Sequence, residues 1–220
     1  MNYKRLTILC GHYGSGKTNI AVNMAFDLAS QRDNIAIADL DIVNPYFRSK
    51  DSEQEFRDKN IRLICSDFAS SNVDLPSMPA DLYAITDDKS LSVIMDIGGD
   101  DRGAYALGRL RPAILEENDY EMLMVVNKFR PLTPDAPSTI EVMREIEAAC
   151  GIPFTGIINN SNLAGETTAD DVIKSAEYAK KVCELSGLPL VLTTVEERLY
   201  DELKEKIIPL FGLKLQKKPI

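Results

Sequence analysis

The sequence predicts a three-layer α/β domain: a mostly parallel sheet of about seven strands with helices on both faces, formed by residues 1–220 as a single unit. Three observations carry this reading. Almost wholly apolar runs of strand length recur along the chain; segments with apolar residues at three- and four-residue steps lie between them; and a glycine-rich octapeptide joins the first run to the first such segment. Strands covered on both faces lose the alternation of half-exposed ones, so continuous apolar runs point to a parallel sheet. Helical segments between them supply the crossovers that parallel strands require.

Taken in order, LTILC (6–10) is the first strand. Two basic residues precede it, but the run is too short for the apolar segment of a secretory signal and leads straight into glycines. A helix is expected over 18–30, then strands IAIAD (35–39), IRLIC (61–65) and SVIMD (92–96). A helix over 103–117 precedes strand MLMVV (122–126), and a helix over 138–150 precedes strand TGIIN (155–159). The next helix, 168–186, places Val172, Ala176, Ala179, Val182 and Cys183 on one stripe. It opens with Thr168 and Asp171 at capping-box spacing and stops at Ser186-Gly187 with Pro189 beyond. LPLVLTT (188–194) is the seventh strand. Residues 40–60 and 67–90 break the rhythm and read as irregular. Both follow strand ends, where open α/β sheets carry their ligand loops.

An apolar fraction of 45% and a charged fraction of 27% are those of a soluble globular domain. No stretch approaches the roughly 20 apolar residues of a membrane span. The net charge is −9 and no basic tract exceeds a dipeptide, so nucleic-acid binding is not expected. Cys10, Cys65, Cys150 and Cys183 are dispersed and His12 is the one histidine. That set excludes zinc-thiolate and serine-triad chemistry and suits reduced thiols in a cytoplasmic protein.

GHYGSGKT (11–18) matches G-x-x-x-x-G-K-[ST] in full, between an apolar strand and a helical segment. Backbone N–H groups that open a helix can wrap an anion, and the positive end of the helix dipole adds attraction. Gly11, His12, Tyr13, Gly14, Ser15, Gly16, Lys17, Thr18 and Asn19 are therefore the candidate nucleotide-binding set. Lys17 is expected to reach the β- and γ-phosphates and the Thr18 hydroxyl to ligate Mg²⁺. Such a loop needs a metal-organising acid and a group that positions water. Asp96, at the tip of SVIMD, suits the metal, and Gly99 would let a backbone N–H approach the γ-phosphate. In IADLDIVNPYF, Asp39 and Asp41 share one face if the strand persists. Asp39 would help hold the metal, and Asp41 would orient the attacking or metal-bound water.

With GHYGSGKT, IADLDIVNPYF, VIMDIGGDD and GIINN in this order, the chain resembles the MinD/ParA/CobQ-type P-loop nucleotide-binding proteins of the SIMIBI class, over residues 6 to about 195. The resemblance implies a P-loop NTPase fold, ATP with Mg²⁺, and an asparagine after a late strand that reads the adenine. Asn159 and Asn160 stand there, Asn159 being the first choice, and LVLTTVEE (190–197) would cover the other side of the base. Dimerising members carry a second lysine where this chain has His12. The resemblance therefore implies that any homodimer forms without that lysine's mechanism. A guanine site would need N/T-K-x-D; in VVNKFRP, Arg130 stands at the aspartate position and has no acceptor. Asn127, Lys128 and Arg130 fall at a strand's C-terminal end, near a partner or acceptor site.

The function expected is a Mg²⁺-dependent ATPase that switches conformation to dock a protein partner, with Lys17 and Asp41 catalytic. The alternatives are an ATP-dependent small-molecule kinase or ligase, with Arg102, Arg109 and Arg111 holding an anionic acceptor, and a nonhydrolytic nucleotide-dependent scaffold.

Overall fold

Leu6, Ile8 and Cys10 point to one side of the first strand and Leu9 to the other, and all four are buried, so the strand must be covered on both faces. A computed structural model, describing residues 1–40, 53–65, 80–98 and 101–215, shows what covers it. In chain order the elements are β1 (Leu6–Cys10), α1 (Lys17–Ala29), β2 (Ile35–Leu40), α2 (Glu53–Asp58), β3 (Ile61–Cys65), α3 (Ala80–Asp87), β4 (Ser92–Ile97), α4 (Asp101–Glu117), β5 (Tyr120–Val126), α5 (Ala136–Cys150), β6 (Gly156–Asn159), a 3₁₀ turn (Ala164–Glu166), α6 (Ala169–Ser186), β7 (Leu190–Glu196), α7 (Glu197–Leu203) and β8 (Leu210–Leu213). The strands form one eight-stranded sheet in the order β3-β2-β4-β1-β5-β6-β7-β8, and every pairing is parallel.

Alternation along β1 divides the core. Leu6, Ile8 and Cys10 join Leu82 and Ile85 of α3, Leu107 and Ile114 of α4, Ile140 and Met143 of α5 and Val182 of α6. Leu9 joins Ile20, Met24 and Leu28 of α1 and Phe56 of α2 on the opposite face. These are the three expected layers. β1 lies between β4 and β5, so the chain reverses its direction across the sheet there, and the loop after β1 opens at the switch point where such sheets bind ligands. Among the described residues no helix is long and apolar enough to cross a membrane.

All seven expected strands and all four expected helices form, with ends moved by one or two residues. The capping box on α6 is present, with Thr168 and Asp171 each bonded to the other's backbone N–H. Four further elements escaped the pattern. α2 carries the single buried apolar residue Phe56, packed on Phe26 at 5.4 Å between ring centres, which is too few positions to give a period. The short α3 fills the end of the other segment expected to be irregular. α7 follows β7 without a break. β8 is a four-residue edge strand containing Gly212, and only Leu213 of it is fully buried. Asn23 of α1 pins the chain just beyond β8: its Oδ1 accepts from Lys214 N at 2.9 Å and its Nδ2 donates to Lys214 O at 3.0 Å.

The end of the sheet opposite the loop is tied by Arg5. Its guanidinium donates to the carbonyls of Ile85 (3.0 Å) and Leu91 (2.9 Å) and pairs with Glu117, which also accepts from Lys89 at 2.7 Å. One buried cation thus joins the start of β1 to the ends of α3 and α4. Burial pushes the Glu117 carboxyl up, but the hydrogen bonds from Arg5 and Lys89 outweigh it and hold the pKa below the ordinary glutamate value. Removing the cation leaves Glu117 with Lys89 alone and takes the donor from two carbonyls, so Arg5→Met should lower the unfolding free energy by about 3 kcal/mol in urea denaturation. A depressed folded-state pKa adds stability above the unfolded value, about 4.3, that is lost as pH falls through the folded value. The stability gap between the wild-type chain and Glu117→Gln should therefore shrink as pH drops below about 4.

Candidate functional site

Between Cys10 and Lys17 the chain must turn from a buried strand into a helix, and Gly16 makes the last step. It caps α1 in the left-handed region, φ 93° and ψ 19°. A Cβ there would lie 2.2 Å from Asn160 Nδ2, so both its conformation and its surroundings demand glycine. Asn160 Nδ2 donates to Ser15 O at 2.6 Å, and its Oδ1 accepts from Thr194 Oγ1 at 2.6 Å. The loop is thereby fastened to β6 and β7.

α5 and α6 start on side-chain caps: Asp135 accepts from Ser138 N before α5, and Thr168 from Asp171 N before α6. At α1 no side chain caps the helix and no acidic residue lies in the first turn. Its first N–H groups and the positive end of its dipole therefore face the loop unblocked, which is a ready anion site. The buried Lys17 bends back along the loop, and its Nζ donates to Gly11 O at 3.0 Å and His12 O at 3.3 Å.

Next along α1, Thr18 Oγ1 donates to Asp96 Oδ2 at 2.5 Å, with Asp96 fully buried. Asp39 is the in-register neighbour of Asp96 across β2 and β4, so the two carboxylates share the α1 face of the sheet. The fold thus puts Thr18 in contact with Asp96 and Asp39 in register beside Asp96. Asp41 and Gly99 lie outside the described residues. Among those residues no group of three or more His, Cys, Asp or Glu stands ready to hold a metal. A hydroxyl beside carboxylates is an all-oxygen donor set, the kind Mg²⁺ takes while keeping part of its water shell.

A cavity of about 410 Å³ opens from the loop, where Gly14, Gly16, Lys17, Thr18 and Asn19 line it beside Arg130 and Asn160. The rest of its wall comes from Asn162, Thr167 and Val172, from Thr194–Glu196 of β7, and from Leu213 and Leu215. The volume suits a drug-sized ligand. Ser15 Oγ, Asn19 Oδ1 and Arg130 Nε are buried with no hydrogen-bond partner among the described residues. Asn19 and Arg130 line the cavity, and unpaired polar atoms on its wall fit a polar ligand there.

Two expected contacts are placed differently. Asn159 does not line the cavity: its Nδ2 donates to Ser175 Oγ at 2.8 Å, and its Oδ1 accepts from Ser161 Oγ at 2.7 Å. Successive residues leaving a strand point to opposite faces, so Asn159 turns toward α6 and Asn160 toward the loop. The His12 ring is also outside the lining, with Nδ1 3.0 Å from Tyr13 O. Arg109 and Arg111 are exposed on α4 and line no part of the cavity, and the side chain of Arg102 lies outside the described part. Asn162, Thr167, Val172, Leu213 and Leu215 carried no motif; only the third asparagine of GIINNSN hinted at one of them.

The profile of the CobQ/CobB/MinD/ParA nucleotide binding domain matches residues 6–209. The chain belongs to that family. Family members are P-loop nucleotide-binding domains, and this chain has their loop, acid and cavity in one place. No curated protein matches the chain by sequence. Solved structures share the fold: FtsY from Mycoplasma mycoides has a TM-score of 0.55 at 18% identity, covering 86% of this chain and 60% of that one. FlhF complexed with GTP and Mg²⁺ has a TM-score of 0.52 at 13% identity, covering 86% and 64%. Signal recognition particle 54 kDa protein from Aeropyrum pernix K1, in complex with GDP, has a TM-score of 0.53 at 13% identity, covering 87% and 41%. The chain therefore spans less than two thirds of each neighbour's length.

In this member of the family the Asn160 tie has a direct test. Asn160→Ala would leave Ser15 O without its donor and Thr194 Oγ1 with only the 3.4 Å contact to Asn159 O, a cost of about 2 kcal/mol in chemical denaturation. Asn160→Asp keeps the acceptor for Thr194 but loses the donor to Ser15, and should cost at least as much near neutral pH.

Proposed function

We propose that the protein is a cytoplasmic, Mg²⁺-dependent ATP-binding protein, a slow ATPase whose nucleotide state switches its docking to a protein partner. The observation that carries this reading is the Thr18–Asp96 bond at the start of an uncapped helix, where a cavity of about 410 Å³ opens. Mg²⁺ held by Thr18, with Asp96 and Asp39 beside it, would offset charge on the phosphate oxygens. The N–H groups of residues 14–18 wrap the phosphates. Lys17 exchanges its two loop carbonyls for phosphate oxygens. Asp41, two residues past Asp39, orients water for attack on the terminal phosphate.

The switch reading is supported by how α4 joins β4. A Cβ on Gly103 would lie 2.8 Å from Gly98 N, so the first turn of α4 sits directly on the end of the strand that carries Asp96. A shift at the strand tip must then move α4. With His12 turned away from the cavity, hydrolysis is assigned to one chain, or to a dimer that does not need a cation at that position.

Adenine is favoured over guanine because Arg130 stands where a guanine-reading aspartate would, and because Asn127 is committed: its Oδ1 accepts from Phe129 N at 3.0 Å. One observation favours guanine. Glu196 is the single carboxylate lining the cavity among the described residues, and FlhF and the 54 kDa protein hold guanine nucleotides. Glu196 accepts from Arg198 Nε at 2.7 Å, which leaves it further acceptor capacity.

Thermal unfolding with ATP, ADP or GTP, each with and without Mg²⁺, tests the assignment. ATP with Mg²⁺ at about a hundred times its dissociation constant should add about 2.7 kcal/mol, and GTP much less. Greater stabilisation by GTP would reverse the base assignment, and no response to either nucleotide would refute the function. Lys17→Ala should abolish turnover. In a phosphate-release assay Gly103→Ala should leave ATP affinity within about threefold, a difference below 1 kcal/mol, while changing turnover.

A further inference from the structure

Two cations line the cavity among the described residues: Lys17, from the loop motif, and Arg130, from the turn between β5 and α5. Arg130 lies flat against the loop. From the place a Cβ on Gly14 would occupy, its Nε is 3.3 Å and its Cζ 3.4 Å away, so a residue with a side chain at position 14 would press on the guanidinium. Nε is buried and has no hydrogen-bond partner, and no carboxylate pairs with Arg130 among the described residues. Arg5 pairs with Glu117, Arg57 with Glu53 and Arg198 with Glu196, and Arg109, Arg111 and Arg144, which pair with no carboxylate among the described residues, are exposed; Arg130 differs from these in its buried Nε. A partly buried guanidinium without an anion is costly unless a ligand supplies one.

The turn that delivers Arg130 is braced on both sides. Arg130 N donates to Asn127 O at 3.1 Å, Thr133 N donates to Arg130 O at 3.1 Å, and Thr133 Oγ1 donates to Asn127 O at 3.0 Å. Asn127 Nδ2 in turn donates to Asn162 O at 3.2 Å, and Lys128 N to Ser161 Oγ at 3.1 Å, which ties the turn to the segment after β6. Neighbouring Lys128 leans over the Phe129 ring, 5.4 Å from its centre, and does not line the cavity. Glu196, the lining carboxylate, is already paired with Arg198. The arrangement leaves Arg130 directed at whatever anion the loop holds.

We propose that Arg130 is a second phosphate-binding residue of this site, supplied by the same chain, and that its guanidinium contacts the triphosphate while Lys17 and the helix start hold it from the other side. The proposal rests on the nucleotide-binding reading above. A planar guanidinium can give two parallel hydrogen bonds to phosphate oxygens, which a lysine cannot. Gly14, whose φ of 75° favours glycine, presents no side chain between the loop and the guanidinium.

The test is calorimetric titration of inorganic tripolyphosphate and of ATP and GTP, with Mg²⁺, into the wild-type chain, Arg130→Ala and Arg130→Lys, with the unfolding midpoint of each ligand-free protein measured alongside. Tripolyphosphate reads the phosphate site without reference to the base. Arg130→Ala is expected to weaken tripolyphosphate and the preferred nucleotide by about 10- to 100-fold, the size of a lost charge-assisted bond, with the ligand-free midpoint unchanged or raised. Arg130→Lys should recover part of the loss. Unchanged affinity in Arg130→Ala overturns the proposal, and so does a lowered ligand-free midpoint with normal affinity, which would mean that Arg130 only props the loop. If the wild-type chain binds neither tripolyphosphate nor a nucleotide, the nucleotide reading falls and this proposal with it. Wild-type binding with an indifferent Arg130→Ala removes the arginine alone.

Discussion

β1 is buried on both faces and flanked by β4 and β5, so the chain can leave the sheet only at its C-terminal edge and must enter α1 within residues 11–16. Within that turn Ser15 N donates to His12 O at 3.1 Å. The turn's N–H groups converge at the start of a helix whose dipole favours an anion, and its carbonyls need partners elsewhere. Asn160 satisfies the Ser15 carbonyl, and Lys17 those of Gly11 and His12. The rest of the site is arranged around this turn. β6 and β7 hold it from beside, β2 and β4 bring acids to one flank, and the turn after β5 brings a cation to the other.

The two flanks differ in a way that suits a phosphate chain. On one side Asp39 and Asp96 sit in register under Thr18, a hydroxyl and carboxylate set that suits a hard cation. On the other, Arg130 meets the cavity without a carboxylate beside it among the described residues, and Lys17 lies between the two flanks at the start of α1. Opposite charge is thereby kept on opposite sides of the space where phosphates would lie. Gly98 and Gly103 press the acid-bearing strand end against α4, so the flank that would sense a metal and terminal phosphate is also mechanically joined to a long surface helix.

Similarity to FtsY, FlhF and the 54 kDa protein persists at 13 to 18% identity because topology and buried alternation, not particular side chains, define the sheet and its switch point. Glu196, Asn162 and Arg130 lie at or just beyond strand ends and line the cavity.

Most of the layer structure was legible in the chain, because strands such as Leu6–Cys10 and Ser92–Ile97 are apolar throughout and α6 carries its own start and stop signals. The loop, Lys17, Thr18 and Asp96 were legible too, since their chemistry depends on short spacings that the order of residues sets directly. β8 and α2 were not, because a glycine-containing edge strand and a helix with one buried side chain leave no period to read. Nor could Asn159 and Asn160 be told apart by type, since one residue's offset at a strand end decides which face each side chain meets. Arg130 could be named from its motif position but not placed. Its meeting with Gly14, far earlier in the chain, depends on β5 pairing beside β1, a long-range contact that packing alone establishes.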